Sequence, residues 1–229
     1  MPEDDISPEQ QAVDIARREI LSPTLATTKE VLAVHKPFLE DGQPLIARAD
    51  TIREPGAFYF YFRVEGEPYY VVVVVRPEGK GLVLAGAYVE AAVRVFLLIK
   101  SKELTPDEIT RRLGLKPTAA YAKGHTLHKG LRPLAQTLWR FEPHKTLPEE
   151  VGRKLDLLLD QLDGAAAPIA ELANECRATV NICYEGCREW LGGWTASART
   201  VQRIAALGAD LELDLFASGP DFPEPQLEK

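Results

Sequence analysis

The feature that most restricts the fold of this chain is the run Tyr-Tyr-Val-Val-Val-Val-Val at positions 69–75. β-Branched and aromatic residues in succession lose rotamer freedom in a helix and pack well on a pleated surface, so the run reads as a strand. A strand with one face in water is apolar at one parity only; this one is apolar at both, so both faces must be covered. Its partner precedes it, as Phe-Tyr-Phe-Tyr-Phe at 58–62, across a Glu-Gly-Glu-Pro turn. A second turn, Pro-Glu-Gly-Lys-Gly at 77–81, leads to Leu-Val-Leu-Ala at 82–85 and then to a strand over 88–100. The spacing predicts an antiparallel meander. One cover is a helix opening at Ser7, with a cap hydroxyl, Pro8 at the first helical position and Gln10 able to return a hydrogen bond to the cap. Its apolar stripe is Ala12, Ile15, Ala16 and Ile20. The other cover is expected from elsewhere in the chain, such as a second domain. Residues 31–53 are mixed and proline-containing and are expected to connect.

The texture changes near residue 100. Thr105, Pro106 and Glu108 form a capping box, Ile109 and Leu113 give the helix its buried face, and Gly114 ends it. A short strand is expected over 137–141, and a helix opened by Thr146 and Pro148 carries Val151, Leu155, Leu158, Leu159 and Leu162 on one face. Cys176, Ala178, Val180, Ile182 and Tyr184 alternate with Arg177, Thr179, Asn181 and Cys183, the pattern of a half-exposed strand. A helix over 198–207 ends at Gly208. In the last strand, Asp210, Glu212 and Asp214 share one face while Leu211, Leu213 and Leu215 are expected to face the core. The fold class is α+β: an N-terminal helix plus antiparallel meander, then a β-α-β-α-β-α-β domain with helices packed on an open sheet. The expected division is 1–89, 90–217 and a frayed acidic tail, which sets in at Ala217 and occupies 218–229.

Several of these segments resemble a known family. Phe-Leu-Leu-Ile at 96–99, the stretch from Leu104 through the capping box to Pro117, Tyr121 with Lys123 and Gly124, Trp139, and the closing helix and strand over 206–216 are together similar to the bacterial domain-of-unknown-function family numbered 4279. That family brings a fold but no chemistry. The helix and strand pair of the first 89 residues resemble cystatin-like domains, which include immunity proteins of bacterial toxin systems.

The net charge of −7 argues against a global nucleic-acid footprint. Its distribution is uneven, however. Between Glu108 and Glu142 there is no acid, while Arg111, Arg112, Lys116, Lys123, Lys129, Arg132 and Arg140 accompany His125 and His128. Two readings stand: an anion-facing segment with a long loop over 116–132, or a solvated loop whose charges pair with the protein's own acids. Trp190 and Trp194 flank Gly192 and Gly193 in an aromatic turn, which reads either as an interface anchor or as a lid on the core. The spacings of His125, His128, Cys176, Cys183 and Cys187 do not match paired zinc ligands, so no metal is expected, nor any cofactor. The three carboxylates of the last strand are too far apart to converge on one ion and are expected on a solvated or salt-bridged outer face.

No nucleophile elbow, P-loop or dinucleotide fingerprint occurs, and no catalytic residue is assigned. No apolar run approaches a membrane span, the N-terminus is acidic where a signal peptide is basic, and the odd cysteine count suits a reducing compartment, so the cytoplasm is expected. The expected role is to bind another protein, with a cognate toxin as the suspected partner. The alternative is an anion- or nucleic-acid-binding module using segment 109–141.

Overall fold

The computed structural model describes residues 7–127 and 132–222, which form two compact units. Among the described residues the first comprises 7–92 together with the returning segments 185–192 and 216–222; the second comprises 93–127, 132–184 and 193–215.

The first unit opens with α1 (Pro8–Leu21) and α2 (Ala26–Val34), followed by the small hairpin of β1 (Leu39–Glu40) and β2 (Gln43–Pro44). Then come β3 (Ile46–Asp50), β4 (Phe58–Arg63), β5 (Tyr70–Glu78) and β6 (Gly81–Glu90), an antiparallel sheet in chain order. Ser7 caps α1 by accepting from the Gln10 amide at 3.2 Å. The Gln10 side chain does not return to the cap as expected, because it donates to Asp14 one turn on, at 2.9 Å.

The meander is as the sequence implies, and both parities of β5 are buried from Val71 to Val75. Ala12, Ala16 and Ile20 of α1 join Phe60, Phe62, Val71, Val73 and Val75 in one buried cluster. Val72 and Val74 lie with Tyr59 and Tyr61 in another. Arg53 overlies this tyrosine layer, 5.4 Å from the Tyr59 ring and 5.9 Å from the Tyr88 ring, with its guanidinium donating to the Tyr88 hydroxyl at 2.9 Å. Each large side chain so buried is worth about 1.5–3 kcal/mol.

Residues 31–53 are more than a connection, since they hold the end of α2, the small hairpin and the edge strand β3. α2 has no side-chain cap of its own. Instead the buried Glu19 of α1 accepts from the Thr24 and Leu25 amides at 2.9–3.0 Å and from the Thr24 hydroxyl. Burial alone would raise the Glu19 pKa, but these hydrogen bonds outweigh it and hold the carboxyl below its usual range.

The second unit contains β7 (Ala92–Ser101), α3 (Pro106–Leu113), β8 (Ala119–Tyr121), β9 (Thr137–Phe141), α4 (Val151–Leu162), a 3-10 turn (Asp163–Ala165), α5 (Ala166–Ala173), β10 (Arg177–Cys187), α6 (Ala198–Ala206) and β11 (Asp210–Ser218). Its sheet runs in the order β11-β10-β7-β9-β8. The capping box at Thr105 is complete, and Gly114 takes the left-handed conformation at φ 66° that terminates α3. Gly152 in α4 is required for a different reason: a Cβ there would lie 2.9 Å from the Thr195 carbonyl oxygen. The Thr200 hydroxyl donates to Asp156 at 2.8 Å, and Arg203 meets Asp160 at 2.9 Å and Asp163 at 2.8 Å, tying α6 to α4 and the turn after it.

Three expectations need correcting. The 116–132 segment is not all loop, because it contains β8, which pairs with β9 beyond it. β10 is not half-exposed: Thr179 and Asn181, at its polar parity, are buried along with Ala178, Val180 and Ile182. The tail is not frayed from Ala217. Arg188 donates its amide to the Ser218 carbonyl at 2.9 Å and pairs with Asp221 at 3.0 Å, while Phe222 lies edge-on to Trp190 and His35. Residues 223–229 lie outside the described residues. Among the described residues no helix is long and apolar enough to cross a membrane.

Candidate functional site

In an antiparallel pair, directly opposed residues share a face, so the register of the second unit's sheet fixes what each face carries. Leu97 opposes Phe141 and Ile99 opposes Trp139, all four buried. The Trp139 indole N–H donates to the Thr110 hydroxyl of α3 at 3.0 Å, which marks this as the helical face. The other parity makes two rows across three strands: Leu98, Arg140 and Ala119, then Lys100, Leu138 and Tyr121.

This second face is concave. A cleft of about 390 Å³ lies over it, lined by Phe96, Leu98, Ala119, Tyr121, Leu127, Leu138 and Arg140. The loop beyond β8 turns back as a hairpin: Gly124 donates to the Leu134 carbonyl at 2.8 Å and Leu134 returns a bond to His125 at 2.9 Å. His125 stacks on Tyr121 with ring centres 5.3 Å apart.

At one end of the cleft two arginines share one carboxylate. The buried Glu142 accepts a forked pair of hydrogen bonds from Arg94, at 2.7 Å from Nε and 3.0 Å from Nη2. Arg140 approaches the same carboxylate less closely, its Nε 3.4 Å from Oε2 and without hydrogen-bond geometry. Both guanidinium groups lie over the Phe96 ring, Arg94 at 5.7 Å and Arg140 at 5.2 Å. Forked pairing is the stronger mode, so the Glu142 charge is committed chiefly to Arg94, and the group keeps one net positive charge at Arg140.

The opposite edge of the sheet is β11. Its acids face Arg177, 3.5 Å from Asp210 and 3.7 Å from Glu212, with the Cys183 thiol 3.8 Å from Asp214. Burial pushes the Cys183 thiol pKa up, and the Asp214 carboxylate adds to the shift, so this thiol is held protonated and is a poor nucleophile. The leucines of β11 do not reach the core: Leu211, Leu213 and Leu215 are 46%, 48% and 56% exposed. Alternation placed them on the face opposite the acids, but a terminal strand has a neighbour on one side only.

Of the residues singled out from sequence, Arg112 is paired with Glu175 at 3.0 Å, and the Lys123 ammonium donates to the Lys102 carbonyl at 3.2 Å. Arg111, Lys116, His125 and Arg132 are exposed, while His128 and Lys129 lie outside the described residues. Trp190 and Trp194 do not act as one turn, since Trp190 packs in the first unit and Trp194 belongs to the second. The basic window therefore splits, part of it paired internally. The Phe96, Arg94 and Glu142 group is not legible in the sequence, because its members are far apart along the chain. The one signal available was the parity of β9, where Leu138 and Arg140 alternate with the buried Thr137, Trp139 and Phe141. Among the described residues no grouping of three His, Cys, Asp or Glu could hold a metal ion.

No curated protein and no solved structure matches this chain. One family model does: the domain of unknown function DUF4279, over residues 91–218. That span takes in all of the second unit's sheet and more than half of the sequence, with the capping box, β9 and the closing helix and strand in the order the resemblance required, and the chain belongs to this family.

Proposed function

We propose that this is a bacterial cytoplasmic protein that acts by binding another protein, and that it is a toxin-neutralising immunity protein of a bacterial toxin system. The observation that carries the protein-binding part is β11, a terminal strand with Leu211, Leu213 and Leu215 about half exposed on one face and Asp210, Glu212 and Asp214 on the other. An open strand edge recruits an extended segment of a partner by main-chain pairing, with alternate side chains supplying specificity. A second copy of β11 paired directly would set acid against acid, which is destabilising, so the strand favours a partner segment alternating basic and apolar residues. The toxin assignment rests on the immunity-like texture of the first half.

The test is co-expression of the full chain with the product of the adjacent gene, followed by size-exclusion chromatography. A stable stoichiometric complex is expected, weakened at least tenfold by Leu213→Arg. If the chain elutes alone and disrupting its gene brings no toxicity, the proposal fails.

A further inference from the structure

We infer that the second unit holds a small-molecule site in the cleft over the open face of its sheet, for a monocarboxylic acid with an apolar body, the carboxylate meeting Arg140. This is independent of the partner-binding proposal, because the cleft sits on β7, β8 and β9 at the other side of the sheet from β11.

The size of the cleft restricts the ligand. At about 390 Å³ it falls in the lower part of the range for ligand pockets, roughly 300–1,000 Å³. Taking the ~30 Å³ share of a water in the liquid as the room for one heavy atom, it accepts on the order of a dozen. The lining restricts the chemistry. Among the described residues that line it, Phe96, Leu98, Leu127 and Leu138 offer hydrocarbon, Tyr121 an aromatic wall, and Arg140 the one charged side chain.

The charge balance selects an anion. Arg94 and Arg140 share the single buried carboxylate of Glu142, and that carboxylate is bound as a fork by Arg94. Arg140 keeps its charge and a side chain that is 31% exposed, although its Nε is itself buried beside Glu142. Its guanidinium carbon lies over the Phe96 ring, 5.2 Å from the ring centre. A planar carboxylate suits that fork in two-point contact. Inorganic phosphate would meet the same cation but leave the apolar lining in water, so the apolar body is needed for affinity.

The experiment is isothermal titration of the full chain with 4-phenylbutyrate and decanoate, as aryl and alkyl carriers of one carboxylate, each with about a dozen heavy atoms. 4-Phenylbutan-1-ol and inorganic phosphate supply the body without the charge and the charge without the body. At least one acid should bind saturably with one site, at least tenfold tighter than either control. Arg140→Gln should weaken that binding at least tenfold, and Arg111→Gln should leave it unchanged. Ala119→Phe, which fills the cleft beside Arg140 while leaving every charged side chain in the protein, should abolish it and serves if Arg140→Gln loses its far-ultraviolet dichroism. Binding of neither acid, equal binding of the alcohol or of phosphate, or unchanged binding in Ala119→Phe overturns the inference. Preference between the two acids tells whether the natural ligand is aromatic or aliphatic.

Discussion

In the first unit's sheet, Val71, Val73 and Val75 lie in the cluster that includes α1, and Val72 and Val74 lie among tyrosines, so β5 has no face in water. In the second unit's sheet, Trp139, Phe141, Leu97 and Ile99 fill one face, while Leu98, Leu138 and Arg140 line a cleft on the other and β11 leaves its leucines half in solvent. A strand run buried on both faces, as Val71 to Val75 is, has no apolar surface left to recognise anything. The second unit's sheet keeps both a concave face and a free edge, and both candidate recognition surfaces are there. The contrast is written in the side chains of β5 and β9, an unbroken apolar run against an alternating one, although β10 alternates too and is buried at both parities.

The largest effect that tests this contrast is at Phe60, fully buried in the cluster that includes α1. Phe60→Ala should destabilise the protein by about 3–5 kcal/mol, read from urea unfolding, because the closed face cannot collapse around the missing ring. A loss below about 1 kcal/mol would mean that this sheet is not closed and that the comparison is drawn in the wrong place.

A smaller effect sharpens the picture of how closure is achieved. In the first unit the returning segments close around His35 and Tyr69, whose Nε2 and hydroxyl oxygen are 3.0 Å apart. Burial depresses the His35 pKa, with Glu67 opposing it only in part, and burial also raises that of Tyr69. The neutral imidazole is thus the form the fold accepts. Below the ordinary histidine value of about 6.5 the unfolded chain binds a proton that the folded chain resists. Stability contributed by His35 is therefore complete above that value and is lost as pH falls from there through the depressed folded value. Unfolding midpoints measured between pH 7.5 and 5 should drop less steeply in His35→Phe than in the natural chain. Equal slopes would show that His35 is accessible to protons and that the closure is leaky.

Elements with strong local chemistry could be read directly from the residues. α1, α3 and α6 carry capping side chains, and β4 and β5 are dense in aromatic and β-branched residues. α2 and α5 could not be read in the same way, because neither has a side-chain cap, α2 borrowing Glu19 from across a turn, nor the long leucine stripe that makes the equally uncapped α4 legible. β3, with Arg48 and Asp50 among its five residues, lacks strand composition and is held by pairing with β4. The candidate site was legible only in fragments. Arg140 stood out within a basic window, but Phe96 and Arg94 belong to another strand, and only the register of β7 on β9 brings them together. Alternation correctly separated the acids of β11 from its leucines, but it carries no information on whether a face has a layer above it, and a terminal strand is where that inference breaks.

The smallest effect bears on that break. Leu158 of α4 is buried, whereas Leu213 of β11 is 48% exposed, so one substitution made at both positions compares a covered and an uncovered leucine within one unit. Leu158→Ala should cost about 2–5 kcal/mol in urea unfolding, from lost transfer energy and the cavity left behind. Leu213→Ala should cost about 0.5 kcal/mol or less, since half of the side chain is already in water and no cavity forms. A truncation that is nearly free for folding yet impairs partner binding would show that this leucine is kept for recognition. If Leu213→Ala instead approaches the cost at Leu158, the edge is already covered in solution by another molecule of the protein, and β11 is not open to a different partner.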